Sequence, residues 1–526
     1  MKKSKLIFVF ILNCLFLNSL VYSQTLVKKV YPDDPTEFLK KIKDQMEEQD
    51  KKATHEFMEQ FELAWNGQKF SSGQQGIIIS TCNLMFAKRL KMFPDFKNYL
   101  SSAMNFVNSG QSDKSFTAWQ TSIDRILSKS AVKFSDYIEM SDNLFSTNTI
   151  FKNSTLEWKA SGSNYTFEFD SLPKVVFGET DLRCIIKDDS SVIYKTSGTY
   201  YPTSNRWIGK GGTVNWQRAG VPAEQSYAEI KKYAINFKSS QYRADSVLYH
   251  NSVYFQKPLV GVLQDKVFVN MTEERAVYPQ FDSYNKRLVI TNIFPDVNYD
   301  GGFSVKGSKI IGAGDRDNPA YLEFYRNKKL FLKSASLQYI MKPERFTSDK
   351  AEVTFYFEGD SIFHPGLQLK FSFKDKEVVL IRDQQGTART PYFDSFHKLD
   401  MYFEALYWRM DDPKIELKNI KGSAESNALF ESSSFFRDAR FERLQGMDNV
   451  NPLYRIREFV MKQNAGGKEF DHNSLSRFMQ LSPDQVKPLL MILANGGFLT
   501  YNVDLDRVVV KDRLFDYIRN SEKKRD

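Results

Sequence analysis

The residues best suited to chemistry crowd into one stretch, "TPYFDSFHKLDMYFEALYWRMDDP". There Asp394, Ser395, His397, Asp400 and Glu404 fall within eleven residues, beside Tyr392, Tyr402 and Trp408. A shorter segment, "GDSIFHPGL", adds Asp360 and His364. Acids and imidazoles next to aromatic rings are what a sugar groove requires, because the C–H face of a pyranose stacks on a ring while its hydroxyls bond carboxylates. Cleavage would need in addition two carboxyl groups about 5 to 10 Å apart, one giving a proton and the other acting as base or nucleophile. On that reading Asp394, His397, Asp400 and Glu404 are catalytic candidates, and Tyr392, Tyr402, Trp408, Asp360 and His364 are ligand-binding ones. The same alternation of rings and polar groups is also what a half-buried strand displays. His364, followed by Pro365 and Gly366, is as well placed to bond a turn carbonyl as to move a proton. Packing is the simpler account, and on it no catalytic residue is assigned.

Other chemistries find little support. The chain has five histidines, His55, His250, His364, His397 and His472, and lacks HExxH, paired CxxC and G-x-S-x-G patterns. No metal and no cofactor is expected. The run Gly209, Lys210, Gly211, Gly212, Thr213 in "NRWIGKGGTVNW" invites comparison with a phosphate-binding loop. Such a loop needs four residues between its first glycine and the Gly-Lys-Ser/Thr, and it opens a helix. Here the spacing is wrong and strand-like residues stand on both sides, so the glycines are expected to form a bend flanked by Trp207 and Trp216.

The elements that must position these residues begin after an export signal. "MKKSKLIFVFILNCLFLNSLVYSQ" places three lysines before an apolar run and ends on small or neutral residues, with cleavage expected before Gln24. "ILNC" lacks the small residues that precede a lipidated cysteine, so Cys14 is read as part of the signal. The net charge of +9 falls to +6 once Lys2, Lys3 and Lys5 leave with it. Basic and acidic residues are interspersed, apart from a basic tail in "RNSEKKRD", whereas a nucleic-acid binder concentrates its cations in a stripe. Cys82 and Cys184 are read as two buried thiols.

Residues 34 to about 150 read as successive helices. Asp34 and Pro35 mark the start of the first, and Phe57, Phe61 and Trp65 lie on one stripe of another. The pattern resembles stacked helical hairpins without a clean 34-residue period. From about Leu156 the period changes to two, in short alternating runs separated by Gly, Asn, Asp, Ser and Pro. "YRADSVLYHNSVYF" and "FEGDSIFHPGLQLKF", about 115 residues apart, look like corresponding pieces of a repeated β unit. A β-solenoid-like body is expected, with a sandwich or jellyroll as the alternative.

The tail, from "LYRIREFVMKQ" through "DHNSLSRFMQL" and "SPDQVKPLLMILANGGFL" to "TYNVDLDRVVV", resembles a winged helix: three helices and then a ribbon. Its third helix offers mainly Gln485 and Lys487 among Val486, Leu489, Leu490, Ile492 and Leu493, which suits protein docking better than base reading. Together with "WIGKGGTVNWQRAG", "DSIFHPGL", "PYFDSFHKLDM" and "ALFESSSFF", the chain resembles large exported proteins of Gram-negative envelopes, a resemblance that carries no catalytic residues over. The expected organisation is a multidomain α + β chain: signal peptide 1–23, helical domain 24–155, β repeat region 156–445, winged-helix-like domain and tail 446–526. The expected role is an exported scaffold or interaction protein, periplasmic, outer-membrane-associated or extracellular. Its partners would be envelope proteins or glycans, with no nucleic acid and at most peripheral contact with a membrane. The alternatives are a polysaccharide-binding or polysaccharide-cleaving solenoid and a lipid-handling β groove.

Overall fold

The computed structural model describes residues 30–128, 133–342, 344–382, 389–418, 420, 428–446 and 450–522. The export signal with its cleavage point before Gln24, and the tail beyond Glu522, lie outside these residues. The chain divides into two compact units, the first made of the described residues up to Lys210 with Ala234–Ser240, the second of Gly211–Tyr233 with the residues from Gln241 onward.

In the first unit six helices precede the strands: Pro35–Glu47, Lys51–Asn66, Ser72–Ala87, Lys97–Asn108, Asp113–Ser128 and Phe134–Thr147. Asp34 caps the first by accepting the amides of Thr36 and Glu37, and Ser71 with Gln74 forms a capping box on the third. Phe57, Phe61 and Trp65 are buried on one face, as their spacing requires. Trp119 packs between Phe106 and Phe145, and Phe145 meets Phe167 at 5.7 Å on the strand Tyr165–Phe169, so helices and sheet share one aromatic core. The first strand, Thr149–Lys152, precedes residue 156, so sheet begins slightly earlier than the change of period suggests. Cys82 and Cys184 are both buried and no disulfide joins them.

The glycine run is a bend between the strands Arg206–Lys210 and Thr213–Asn215, with Gly211 and Gly212 both at positive φ. Its tryptophans enter separate cores, Trp207 against Phe177 and Phe237, Trp216 against Tyr249.

The body of the second unit is antiparallel, and its hairpins alternate between two ladders. The first ladder holds the hairpins 288–301, 320–336, 351–367 and 392–402, closed by Leu429–Ser432. The second holds 302–313, 338–348, 368–381 and 405–418. Long strands such as Val297–Lys306, Arg345–Phe357 and Asp360–Ser372 run through both, giving one half to each. Register shifts between Ser348 and Val353 mark the crossing on Arg345–Phe357. The inner faces meet in an aromatic core. Trp408 of the second ladder contacts Phe331 at 4.7 Å and Phe355 at 6.0 Å in the first, and Phe324 meets Phe371 at 5.1 Å.

This arrangement corrects two expectations. A solenoid is not confirmed: these strands pair antiparallel with near neighbours in sequence, and coils do not stack on coils. The two look-alike segments also occupy different places. Asp245 and Ser246 sit at a bulge inside the strand Gln241–Asn251, whereas Asp360 and Ser361 follow a hairpin tip.

The tail forms its own core around Leu453, Ile456, Leu475, Val486, Leu490, Leu493, Tyr501, Val508 and Leu514. Its helices are Pro452–Lys462, His472–Met479 and Pro483–Asn495, and a ribbon of Leu499–Asn502 with Arg507–Val510 follows. Ser482 and Gln485 make a capping box on the third helix, and Gly497 at positive φ ends it. A short strand, Glu469–Phe470, pairs with the ribbon, and a closing helix spans Asp512–Ser521.

Candidate functional site

The nine sequence candidates do not converge. Asp360, Asp394 and His397 reach one groove, and the other six are built into the fold.

Trp408 belongs to the inter-ladder core, and Tyr392 is buried with its ring stacked on Phe403 at 4.2 Å. His364 is fully buried. The amide of Gly366 donates to its Nδ1 at 3.1 Å, which leaves the proton on Nε2, 2.8 Å from the carbonyl of Thr390. Pro365 and Gly366 lie inside the strand Asp360–Ser372 and form no turn, and the carbonyl that His364 meets is 26 residues away. Glu404 is buried and accepts the amide of Ile420. Tyr402 lies beside the Arg382 guanidinium, and burial followed by the nearby Asp400 charge pushes its hydroxyl up to about 12.

Asp400 has the most consequential surroundings. Register places Phe393, Asp400 and Glu431 on the same outer face of the first ladder. Alternation would leave that face to solvent, but the C-terminal module covers it. Arg513, with a fully buried side chain, bridges Asp400 and Glu431, the latter at 2.7 Å. Lys511 adds a bond to Asp400 at 3.2 Å and lies over the Phe393 ring at 4.4 Å. Arg440 grips Glu431 through both terminal nitrogens at 2.7 and 3.0 Å, a bidentate pairing suited to its planar fork. Three strands from Asp400 in the ladder, Glu352 receives Arg507 and Asn502 from the ribbon. Burial works against the charge of Glu431, but the Arg440 and Arg513 hydrogen bonds outweigh it and hold its carboxyl below the usual range. Burial dominates at Lys511 and lowers its ammonium below the ordinary lysine value despite Asp400.

The groove lies at the other candidates, across three neighbouring hairpin tips of the first ladder. They are Arg326–Lys329, Phe357–Asp360 and the turn from Asp394 to Leu399. Asn327, Lys328, Glu358 and Gly359 all carry positive φ, the conformation that two-residue hairpin loops need to match strand twist. The cavity has a volume of about 890 Å³, and its wall includes Tyr356, Phe396, Glu358, Asp360, Asp394 and His397, with Arg326 and Lys329 at one side. Asp394 organises its tip: one oxygen accepts the Phe396 amide at 3.0 Å and the other meets His397 Nδ1 at 2.7 Å. Ser395 Oγ donates to Asp360 at 2.9 Å and accepts the Ser361 amide at 2.8 Å, which braces this tip against its neighbour.

Tyr356, Glu358, Arg326 and Lys329 escape a search within the 392–408 stretch because they lie on other hairpins, whereas Phe396 stands inside that stretch, between Ser395 and His397. The signal that could have found them is the turn sequences "RNKK", "FEGD" and "FDSFHK", which stand at the ends of neighbouring hairpins of the first ladder. Among the described residues no group of three or more His, Cys, Asp and Glu side chains is placed to hold a metal ion, and no helix is long and apolar enough to cross a membrane.

Comparison with protein-family models, with curated proteins and with solved structures finds no match. The geometry alone therefore carries any assignment of function.

Proposed function

We propose that this chain is an exported, envelope-associated scaffold without catalytic activity, in which a winged-helix-like module is locked onto a repeat-built β sandwich. The observation that carries the reading is the Asp400–Arg513–Glu431 bridge. Asp400, one of the four catalytic candidates, is fully buried and saturated by Arg513 and Lys511 from the module. Such a bridge fixes relative position, because breaking it strands a buried charge. Glu404, Tyr392 and Trp408 are likewise taken up by backbone bonding and core packing.

The third helix of the module supports protein docking over DNA binding. Its solvent side carries Asp484, Gln485, Pro488 and Ile492 with Lys487 half-exposed; Gln485 is engaged by Ser482 in the cap, and a single lysine beside an acid and apolar groups is a poor match for phosphates and base edges. Interlocking of Phe324, Phe331, Phe355, Phe371 and Trp408 fills the space where an acyl chain would run, which argues against lipid handling.

A second reading, polysaccharide cleavage, draws on one observation: Asp360, Asp394 and His397 share a groove. Reducing-end release from oligosaccharides by the mature chain separates the two. The scaffold reading expects no release, together with a folded Asp394→Asn and a strongly destabilised Asp400→Asn. Release by the wild type that vanishes in Asp394→Asn at unchanged melting temperature would refute it.

A further inference from the structure

We infer that the tip groove of the first ladder is a binding site for a neutral polysaccharide chain, independent of the scaffold reading and without bond cleavage. Three features point there. The first is the exposure of its rings. Phe396 is 68% exposed and Tyr356 39% exposed, whereas Tyr299, Phe324, Phe331, Phe355 and Tyr392 of the same ladder are buried. A phenylalanine at a hairpin tip adds nothing to the core.

The second is rigidity. The Phe396 amide is held by Asp394, its ring stands edge-on to His397 at 4.7 Å, and Ser395 ties the tip to Asp360 and Ser361 on the next hairpin. Side chains presented on a braced turn lose little conformational freedom when a ligand arrives, which is how preorganised sites gain affinity.

The third is chemistry and shape. Rings alternate with Glu358, Asp360 and the outward Nε2 of His397, so apolar faces and hydroxyl partners are interleaved. An apolar peptide would want contiguous rings, and the three carboxylates outnumber the two cations, Arg326 and Lys329, so the wall offers a polyanion no excess of positive charge. Successive tips lie two strand spacings apart, about 10 Å, so the groove crosses roughly 20 Å of the ladder. That length suits an extended chain better than a single compact molecule.

The test uses the mature full-length chain on an array of neutral oligosaccharides built from glucose, mannose, galactose and N-acetylglucosamine, alongside acidic glycans and unstructured peptides. Any retained neutral oligosaccharide is then titrated calorimetrically against the wild type, Phe396→Ala and Tyr356→Ala. Retention of at least one neutral oligosaccharide is expected, with each substitution weakening it about tenfold or more, the effect of truncating an aromatic anchor. Melting temperatures should stay close to the wild type, since both rings are exposed. Should one variant fold poorly, the other still decides. No neutral oligosaccharide retained, retention indifferent to both substitutions, or capture only of acidic glycans or peptides would overturn the assignment.

Discussion

Replacing Arg513 by methionine tests the central feature of the second unit. The side chain is fully buried and its guanidinium serves Asp400 and Glu431 together, stacked near Phe498 and Tyr517 at 5.5 and 5.6 Å. Methionine keeps much of the packing and removes the charge, which leaves Asp400, itself fully buried, with only Lys511 as cationic partner. Removing one member of a buried ion pair generally costs about 3–5 kcal/mol. For a cooperative unit of about 300 residues, an unfolding entropy near 2.1 cal/mol/K per residue converts that loss into a fall of about 5 to 8 °C in melting temperature. Calorimetry on Arg513→Met reads the fall, and limited proteolysis should show cuts between the β body and the module that the wild type resists. The cause is stranded charge, so the combined variant Asp400→Asn, Lys511→Met, Arg513→Met, which removes the buried charges together and leaves Glu431 paired with Arg440, should recover more than half of the loss. If Arg513→Met melts within about 1 °C of the wild type, or if the combined variant is less stable than the single one, the bridge does not lock the module.

Acid should weaken the same contact. The Glu431 carboxyl is held below its ordinary value of about 4.3 in the folded chain, so its contribution is complete above that pH and is lost as pH falls through the folded value. Melts between pH 7 and pH 3 should decline below about pH 4.3, with a shallower decline in Glu431→Gln. Trp408→Ala, which empties the meeting point of the two ladders, should destabilise by about 3–5 kcal/mol in denaturant titrations. Export predicts Gln24 at the amino terminus of the protein purified from its native source, read by mass spectrometry, and an intact Met1 would remove the basis for an envelope location.

Local signals were legible in the sequence wherever the chain acts on itself over a few residues. Asp34 before Pro35, Ser482 before Pro483, the Gly496–Gly497 stop and the Phe57–Phe61–Trp65 stripe all stand where short-range chemistry puts them. Turn residues likewise mark the strand ends, but they do not say which strand will lie alongside, so alternation between two ladders could not be read from them. Asp400 illustrates the limit. Period-two alternation assigns it to the face opposite Met401, and a strand acid on an outer face reads as solvated decoration. Its partner Arg513 is 113 residues away, with nothing near either residue to announce the pairing.

The alternation of hairpins gives the body a parity. Each hairpin occupies the ladder opposite to the one before it, so the layer a segment joins depends on whether an even or odd number of hairpins precedes it. Gaining or losing two consecutive hairpins would lengthen or shorten both ladders and leave every later segment in its own ladder. Gaining or losing one would transfer all later segments to the opposite layer, and would carry Asp400 and Glu431 away from the face on which the module docks. Length changes in proteins built on this plan should therefore come in pairs of hairpins, and an odd change should coincide with loss or relocation of the module.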